Sequence, residues 1–367
     1  MKEYIGCDAH KKYSVFVAVN ELGQHGPAHR VSHDRDEYRQ FLASLPGNSP
    51  IALEATGHWY WLADEIEAAG HQVHLANAGE AKKRMGKTNK TDKLDACGLG
   101  MLLRNGTLPE VWIPPTELRD QRALLRTRMK LVRIGTGVKN RVHGALDRYG
   151  LQSEGYSDLF GKSGRQHLAD CLNYLPEHTR HSVERELALL DYLQPQIATL
   201  EEHIAGVVQP SREIAWLRTL PGVGEILAPL IAWEVGQVKR FPGPGNLAGY
   251  AGVVARTISS GGRTWHGRVS SAVNHYLKWA FLEAANAVVR HQQKYDGWHV
   301  VTLYQRLRGP KGHAKAATAV GRHLAEATYW ILQRGEAYRD PARSTLEAAA
   351  TAAGSSCPGK RDVALAH

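Results

Sequence analysis

The first 77 residues alternate short apolar runs with segments of helical spacing. Apolar, β-branched runs predict strands at residues 4–8, 15–19 and 28–31, with a hairpin turn over residues 21–24. The following segments predict a helix over residues 36–45, a strand over 51–54, a helix over 60–69 and a strand over 72–76. This order predicts an α/β domain in which antiparallel strands join a partly parallel sheet.

The pattern becomes helical after Asp92. It predicts a helix over residues 92–104 and a long basic helix over 116–148, softened near Gly135 and Gly137. A weakly patterned stretch follows to about residue 176. Apolar residues then recur every three or four positions from Val183 to Val207, which predicts a coiled-coil seam interrupted only by Pro195. Two such helices pair as an antiparallel hairpin or between protomers, and the spacing leaves both possibilities open.

Four segments are therefore expected in the chain. They are an α/β domain (1–112), a helical, coiled-coil linker (113–212), a mostly helical C-terminal domain (213–338) and a flexible tail (339–367) rich in Ala, Ser, Thr and Gly. The composition is that of a globular protein, with 43% hydrophobic and 22% charged residues.

The sequence also indicates the cellular compartment of the protein. The sequence contains no apolar run of about 18 residues and no signal-like N-terminus, which excludes a membrane span and argues against export. The four cysteines are far apart and form no CxxC pair, so we predict a cytoplasmic protein without disulfides. The 19 histidines form no HExxH or HxH pair, and we interpret most of them as surface or packing residues.

The formal charge of +10 is unevenly distributed. Residues 78–150 contain 16 Lys and Arg against 7 Asp and Glu, and residues 239–322 contain 13 against 2. The two blocks therefore carry +9 and +11, and the remainder of the chain carries −10. Because segregated basic blocks are expected where surfaces meet phosphate backbones, this distribution predicts a nucleic-acid partner.

Four carboxylates fall where a metal site is expected. Asp8 and Glu54 end predicted strands, and strand ends of such a sheet face the crevice that binds ligands. Asp92 and Asp95 lie three residues apart at a helix start and share one face. Each acid alone fits a surface or helix-dipole role. Together they predict a site for hard divalent cations, which assist phosphoryl transfer when two ions lie about 4 Å apart.

A glycine turn opens the C-terminal domain. Pro221-Gly222-Val223-Gly224 precedes an apolar segment, so the turn is expected to enter a helix. Backbone N–H groups of Gly222 and Gly224 would then bind a phosphate at the helix N-terminus. A plain helix–turn–helix fits the same residues equally well.

A pair of serines lies in a later glycine-rich loop. Ser259 and Ser260 precede Gly261-Gly262, and serines in such loops are usually turn residues. Here, however, the sequence from Lys239 to Phe281 contains no acid, and the serines are expected to be surrounded by cationic side chains, namely Arg263, His266, Arg268 and Lys278. This setting predicts a site for an oxyanion or a scissile phosphate, with no adjacent base evident.

Three segments carry a family resemblance. Ile5-Gly6-Cys7-Asp8, Leu53-Glu54-Ala55-Thr56-Gly57 and Lys90-Thr91-Asp92-Lys93-Leu94-Asp95-Ala96 resemble motifs of the DEDD transposases of insertion-sequence family one hundred and ten. The N-terminal domain of that family is RuvC-like, and the element order is that of RNase H-like nucleases. The resemblance implies that Asp8, Glu54, Asp92 and Asp95 are a catalytic tetrad that holds Mg²⁺ or Mn²⁺.

Residues 217–285 resemble the C-terminal domain of the same family. In that family a serine before a glycine is the nucleophile that forms a phosphoserine link with DNA, which implies Ser260, with Ser259 as the fallback. The chain departs from the family pattern in having Val273-Asn274 instead of Gly-Asn and Leu277-Lys278 instead of Leu-Arg. Lysine keeps the charge but loses the bidentate fork of arginine.

The resemblance implies a transposase or recombinase that excises and inserts its mobile element by strand cleavage and rejoining. The implied partners are donor and target DNA, a non-coding bridge RNA, and further copies of the chain in a tetramer built as a dimer of dimers. In that tetramer, the acidic site of one protomer meets the serine of another. Two alternatives stay open: a RuvC-like nuclease that hydrolyses junction DNA with water, and a non-catalytic nucleic-acid-binding protein.

The expected nucleic-acid contacts are cationic side chains of the two basic blocks and the glycines of the turn. They are Lys87, Lys90, Lys93, Arg122, Arg126, Arg133, Lys139, Arg141, Gly222, Gly224, Arg263, Arg268 and Lys278.

Overall fold

A computed structural model describes residues 2–86, 91–151, 155–156, 158–209 and 211–342. The chain divides into two compact units, Met1–Pro114 and Pro115–His367. The first unit is α/β and the second is mostly helical, as the sequence predicts. The finer boundaries after residues 112, 212 and 338 stay predictions. Among the described residues, no helix combines the length and apolar character needed to span a membrane.

The first unit contains a five-stranded sheet and its helices. In chain order the elements are β1 (Glu3–Ala9), β2 (Tyr13–Asn20), β3 (His25–Ser32), α1 (Arg35–Ser44), β4 (Pro50–Glu54), α2 (Trp59–Ala68), β5 (Gln72–Ala76), α3 (Ala78–Met85) and α4 (Asp92–Arg104). The strand order is β3-β2-β1-β4-β5. Pairing is antiparallel from β3 to β1 and parallel from β1 to β5, which confirms the predicted mixed sheet.

The two faces of this sheet are covered by different helices. Alternate residues of a strand point to opposite faces. Ile5, Cys7, Ile51 and Leu53 share one apolar core with side chains of α1 and α2. The other face, which includes Ala52 and Val17, packs against α4. Asp8 lies two residues after Gly6 on β1, and Glu54 lies two residues after Ala52 on β4. Because residues two apart on a strand point to the same face, both carboxylates lie on the α4 face.

The second unit begins with two long helices and continues with shorter ones. Its elements are α5 (Thr116–Arg148), α6 (Lys162–Leu172), α7 (Glu177–Val207), α8 (Arg212–Leu217), α9 (Leu227–Val235), α10 (Pro244–Tyr250), β6 (Ala255–Ser260), β7 (Arg263–Val269), α11 (His275–Arg290), α12 (His299–Lys311) and α13 (His313–Arg334). Single 3₁₀ turns occur at Val238–Arg240 and Gln292–Tyr295.

Helices α5 and α7 pack against each other within the chain. Arg128 pairs with Glu201 and Arg141 pairs with Glu186, so the two helices run antiparallel. Both helices are continuous, α5 through Gly135 and Gly137 and α7 through Pro195. The pairing is therefore intramolecular, and the coiled-coil geometry of the seam stays a prediction.

Two elements of the second unit differ from the sequence-based expectation. Helix α6 lies in the stretch interpreted as weakly patterned, where it buries Leu168 and Cys171 in a core shared with α5 and α7. The segment interpreted as a glycine-rich loop instead forms the β6–β7 hairpin. The predicted flexible tail falls outside the described residues beyond position 342.

Candidate active site

Asp8 and Glu54 lie on neighbouring parallel strands. Cys7 of β1 pairs with Leu53 of β4, so the next residue on each strand carries one of the two carboxylates. Both strands end within one residue of these acids. The geometry therefore brings Asp8 and Glu54 together at one edge of the sheet, as predicted from their strand-end positions.

Helix α4 adds Asp92 and Asp95 to the same edge because two glycines allow it to lie close to β1. A Cβ on Gly6 would lie 1.8 Å from the carbonyl oxygen of Ala96, and one on Gly100 would lie 3.2 Å from the nitrogen of Gly6. The helix begins at Asp92, with the Thr91 side chain accepting a hydrogen bond from the backbone N–H of Leu94. Both acids lie in the first turn, where the helix dipole favours negative charge.

The electrostatics of Asp8 reflect this crowding. Its side chain is only 8% exposed, and its pKa is raised from 3.8 to about 6. Burial is the largest cause; the charges of Glu54, Asp95 and Asp92 also raise the pKa, while His10 lowers it. The other three predicted acids therefore act electrostatically on Asp8.

His10 and Tyr13 also belong to this cluster, although neither is among the predicted site residues. His10 Nε2 is buried and lies 3.2 Å from Asp8 Oδ2 and 3.3 Å from Asp92 Oδ2. The Tyr13 hydroxyl donates a hydrogen bond of 3.0 Å to Asp92 Oδ2, which raises the pKa of Tyr13. His10 is an exception to our interpretation of most histidines as surface or packing residues. Its position two residues after Asp8, in the turn from β1 to β2, was the available signal.

The donor set fits a divalent cation. One ligand atom each from Asp8, His10 and Asp92 lie within 4.8 Å of one another. Carboxylate oxygens suit hard cations such as Mg²⁺ and Mn²⁺, whereas an imidazole nitrogen is more typical of transition metals. A bound cation would also offset the repulsion between carboxylates that helps to raise the pKa of Asp8.

Ser260 lies at the tip of the β6–β7 hairpin. The turn consists of Gly261 and Gly262, both with positive φ (56° and 74°), as a tight two-residue hairpin requires. Ser260 is the last residue of β6 and pairs with Arg263, the first residue of β7. A two-residue Gly-Gly turn is a hairpin signal, so the sequence contained the information for this element.

The two serines have different surroundings. The Ser259 hydroxyl lies 3.2 Å from the Thr264 hydroxyl. Paired residues lie on one face of a hairpin, so Ser260 shares a face with Arg263, whereas Ser259 lies on the opposite face. Within the described part of the chain, the Ser260 hydroxyl has no hydrogen-bond partner.

The cations do not surround Ser260 as predicted. Arg263 is its direct neighbour, whereas His266 lies 3.2 Å from the Thr257 hydroxyl on the other face. Arg268 is five residues beyond Arg263, or about 16 Å along the strand. Lys278 belongs to α11 rather than to the hairpin.

Two of the expected nucleic-acid contacts are structural instead. Arg122 is buried and donates hydrogen bonds to the backbone carbonyls of Trp233 and Glu234 at 2.7 and 3.0 Å. Arg126 forms two hydrogen bonds, 2.6 and 2.8 Å long, with the fully buried Glu234 carboxylate. Asn274 donates to the same carboxylate at 2.8 Å. The prediction for Arg122 and Arg126 is therefore corrected: they neutralise a buried acid.

The glycine turn is also structural at Gly222. Its N–H already donates to the Tyr295 hydroxyl at 3.0 Å, and a Cβ there would lie 2.1 Å from the carbonyl oxygen of Ala284. Helix α9 begins five residues later, at Leu227. The phosphate-binding prediction for Gly222 is therefore corrected in favour of the packing alternative, whereas Gly224 is exposed.

The remaining predicted cations are distributed over both units. Lys93 and Arg133 are exposed, and Lys139 lies 5.0 Å from the Phe160 ring centroid. Arg141 forms a bidentate pair with Glu186 on the helix surface. Lys87 and Lys90 lie outside the described residues.

Comparison with known families identifies the chain. A transposase model of the DEDD type found in IS110 elements matches residues 5–151. A second model, described as the transposase IS116/IS110/IS902 family, matches residues 215–298. Together the two segments cover more than half of the chain and contain both the acidic cluster and Ser260. The chain belongs to the IS110 family of transposases. It is thus an enzyme that acts on DNA, and the DEDD type suggests dependence on a divalent metal.

Curated relatives agree with this family. The transposase for insertion sequence element IS1111A of Coxiella burnetii is 25% identical over 346 residues, which cover 91% of each chain. A probable family 20 transposase of Pseudomonas aeruginosa is 28% identical over 264 residues, covering 70% of this transposase and 75% of the relative. The transposase for IS1328 of Yersinia enterocolitica is 25% identical over 270 residues, covering 73% and 79% respectively.

Proposed function

We propose that this transposase excises and inserts its insertion sequence through a covalent Ser260–DNA intermediate, with the acidic cluster holding the metal. The observation that carries the proposal is the cluster itself, in which Asp8 has a pKa raised by burial and by three further carboxylates. A divalent cation with oxygen ligands would offset the repulsion among these acids.

The metal ligands in this proposal are Asp8, Glu54, Asp92 and Asp95, with His10 as a nitrogen donor. The cation is Mg²⁺ or Mn²⁺, and the imidazole favours acceptance of Mn²⁺. When bound, the metal polarises the scissile phosphate and stabilises negative charge on the reacting oxygens. Tyr13 orients Asp92 through its hydrogen bond.

Ser260 is the proposed nucleophile because its hydroxyl is exposed and shares a hairpin face with Arg263. Ser260 Oγ bonds to phosphorus, the bond from phosphorus to the leaving sugar oxygen breaks, and the hydroxyl proton passes to that oxygen through water. Arg263 holds the phosphate by charge-assisted hydrogen bonds. A sugar hydroxyl of the other DNA end then attacks the phosphorus, the bond from phosphorus to Ser260 Oγ breaks, and the proton of the attacking hydroxyl passes to Ser260 Oγ through water, so rejoining needs no external energy source.

Ser259 is the weaker candidate because its hydroxyl contacts Thr264 on the opposite face. The described residues give Ser260 no hydrogen-bonded base, so the acidic site must supply the activation. In the proposed tetramer, a dimer of dimers, the acidic site of one protomer meets Ser260 of another.

A bridge RNA is the proposed guide that pairs with donor and target DNA. The remaining cations are the proposed phosphate contacts, now without Arg122 and Arg126, which pair with the buried Glu234. They are Lys93, Arg133, Lys139, Arg141, Arg263, Arg268 and Lys278 in the described chain, with Lys87 and Lys90 outside it. Omitting the non-coding RNA that flanks the gene should abolish strand exchange; exchange without RNA would contradict guidance.

A denaturing gel tests the covalent step. The full chain is incubated with DNA of its element, the flanking non-coding RNA and Mg²⁺ or Mn²⁺, and protein-linked DNA is measured. We expect an adduct with the wild type and with Ser259→Ala, and none with Ser260→Ala or Asp8→Asn. An adduct in Ser260→Ala would contradict the serine assignment. DNA cleavage without adduct in that variant would instead support a nuclease that uses water.

A further inference from the structure

The β6–β7 hairpin exposes an unusual amount of apolar surface. Every residue of β6 is exposed, and Ile258 and Trp265 are 44% and 49% exposed. Neither side chain joins a hydrophobic core of the described chain. Because an isolated two-stranded hairpin is only marginally stable in water, a partner that covers this surface would stabilise it.

The two faces of the hairpin differ in chemistry. On one face, Thr257 lies within hydrogen-bonding distance of His266, and Ser259 within that distance of Thr264. The polar groups of that face thus satisfy one another.

The other face carries two adjacent cross-strand pairs, Ile258 with Trp265 and Ser260 with Arg263. This face presents an indole ring and an isoleucine next to a guanidinium and an unpaired hydroxyl. The indole is two residues from Arg263, a separation of about 7 Å along the strand.

The positive charge of the hairpin indicates a polyanion as the partner. Residues 255–269 contain Arg256, Arg263 and Arg268 and no acidic residue. Cations interleaved with an exposed aromatic side chain are the combination by which proteins bind unpaired nucleotides, since the cations contact phosphates and the ring stacks on a base. A protein partner would need acidic groups, and DNA is already the substrate of the family.

We propose that Trp265 stacks on an unpaired nucleobase of the substrate DNA, one or two nucleotides from the phosphate held beside Arg263. Ile258 forms the apolar side wall of this site. The distance between the stacked base and the cleaved phosphate rests on the proposed role of Ser260, whereas the stacking of Trp265 on a base does not. Trp265 is a positioning residue: by holding a base, it fixes the strand in front of the Ser260 hydroxyl.

The test uses full-length chain in the Ser260→Ala background, where no covalent step interferes. The probes are a single-stranded oligonucleotide of twenty thymidines and a matched one in which alternate nucleotides lack the base. Stacking predicts that Trp265→Ala weakens binding of the intact probe by about 5-fold to 100-fold and that Trp265→Phe retains most of the affinity. The parent binds the abasic probe more weakly than the intact one, and Trp265→Ala removes this difference.

Trp330→Ala is the matched control. Trp330 is 43% exposed in the same unit but belongs to α13, where it contacts Arg334, rather than to the hairpin. Its removal should leave both affinities unchanged, and circular dichroism of each variant verifies folding. Unchanged binding in Trp265→Ala, or an equal loss in Trp330→Ala, would overturn the stacking site. The positioning role is tested separately in Trp265→Ala with Ser260 intact, where an adduct that forms normally would overturn that role and leave the proposed function intact.

Discussion

Gly6 and Ala96 approach so closely that a Cβ on Gly6 would lie 1.8 Å from the Ala96 carbonyl oxygen. This contact fixes the distance between β1 and α4, and with it the distance between Asp8 and the two acids of α4. We expect Gly6→Ala to displace α4, to destabilise the chain by about 1–3 kcal/mol and to abolish metal-dependent DNA cleavage.

Gly26→Ala is the control for this prediction. Gly26 lies on β3 of the same sheet, and a Cβ there would have only an ordinary contact of 3.9 Å with the carbonyl oxygen of Ala18. Its stability, measured by urea denaturation, should change by less than about 1 kcal/mol. Wild-type stability and cleavage in Gly6→Ala would show that the close approach does not organise the site.

The raised pKa of Asp8 gives the metal-free chain a specific pH dependence. Between pH 3.8 and about 6 the folded state binds a proton on Asp8 that the unfolded state has already lost. Stability contributed by this group is therefore lost as pH rises through that window. Asp8→Asn should then melt at a higher temperature than the wild type at pH 7.5 without metal, and this advantage should vanish below pH 4. A lower melting temperature at pH 7.5 would contradict the crowded-acid description.

Binding of a divalent metal should offset the loss of stability that accompanies ionisation of Asp8. Because a metal ion and a proton compete for the Asp8 carboxylate, Mn²⁺ or Mg²⁺ should raise the melting temperature at pH 7.5, and the increase should shrink below about pH 6. Differential scanning fluorimetry with and without metal measures it. The same increase at pH 5, or in Asp8→Asn, would place the metal elsewhere.

The buried Glu234 network should behave as a structural unit. Glu234→Gln leaves Arg122 and Arg126 without their counter-charge and should cost about 3–5 kcal/mol in urea denaturation. Glu186→Gln removes the partner of Arg141 on the helix surface and should cost less than about 1 kcal/mol. An equal loss of unfolding free energy in the two variants would mean that Arg122 and Arg126 tolerate an uncharged partner.

Most of the first unit was predictable because its signals are local. The apolar runs predicted the strand that Asp8 ends, and the helical spacing after Asp92 predicted the helix that begins there. The presence of His10 in the acidic cluster was not predictable from periodicity, since it depends on how the turn between β1 and β2 folds back over Asp92.

The second unit shows why long-range pairing escapes sequence patterns. The exposed or buried state of Arg126 depends on Glu234, which lies 108 positions away. The available signal was a single acid within the apolar segment 230–235, because a buried carboxylate requires a cation. The β6–β7 hairpin differs from the predicted loop because Gly261-Gly262 forms a two-residue turn that joins two strands.

DNA becomes attached to Ser260 in the proposed reaction, and peptide mass spectrometry tests this attachment directly. Trypsin cleaves after Arg256 and Arg263, which releases residues 257–263 with both serines in one short peptide. After nuclease digestion of the trapped complex, this peptide should carry a nucleotide, and fragmentation should place the phosphoryl group on Ser260. A nucleotide on Ser259 or on any other peptide, or a cleaved substrate with no modified peptide at all, would contradict the account.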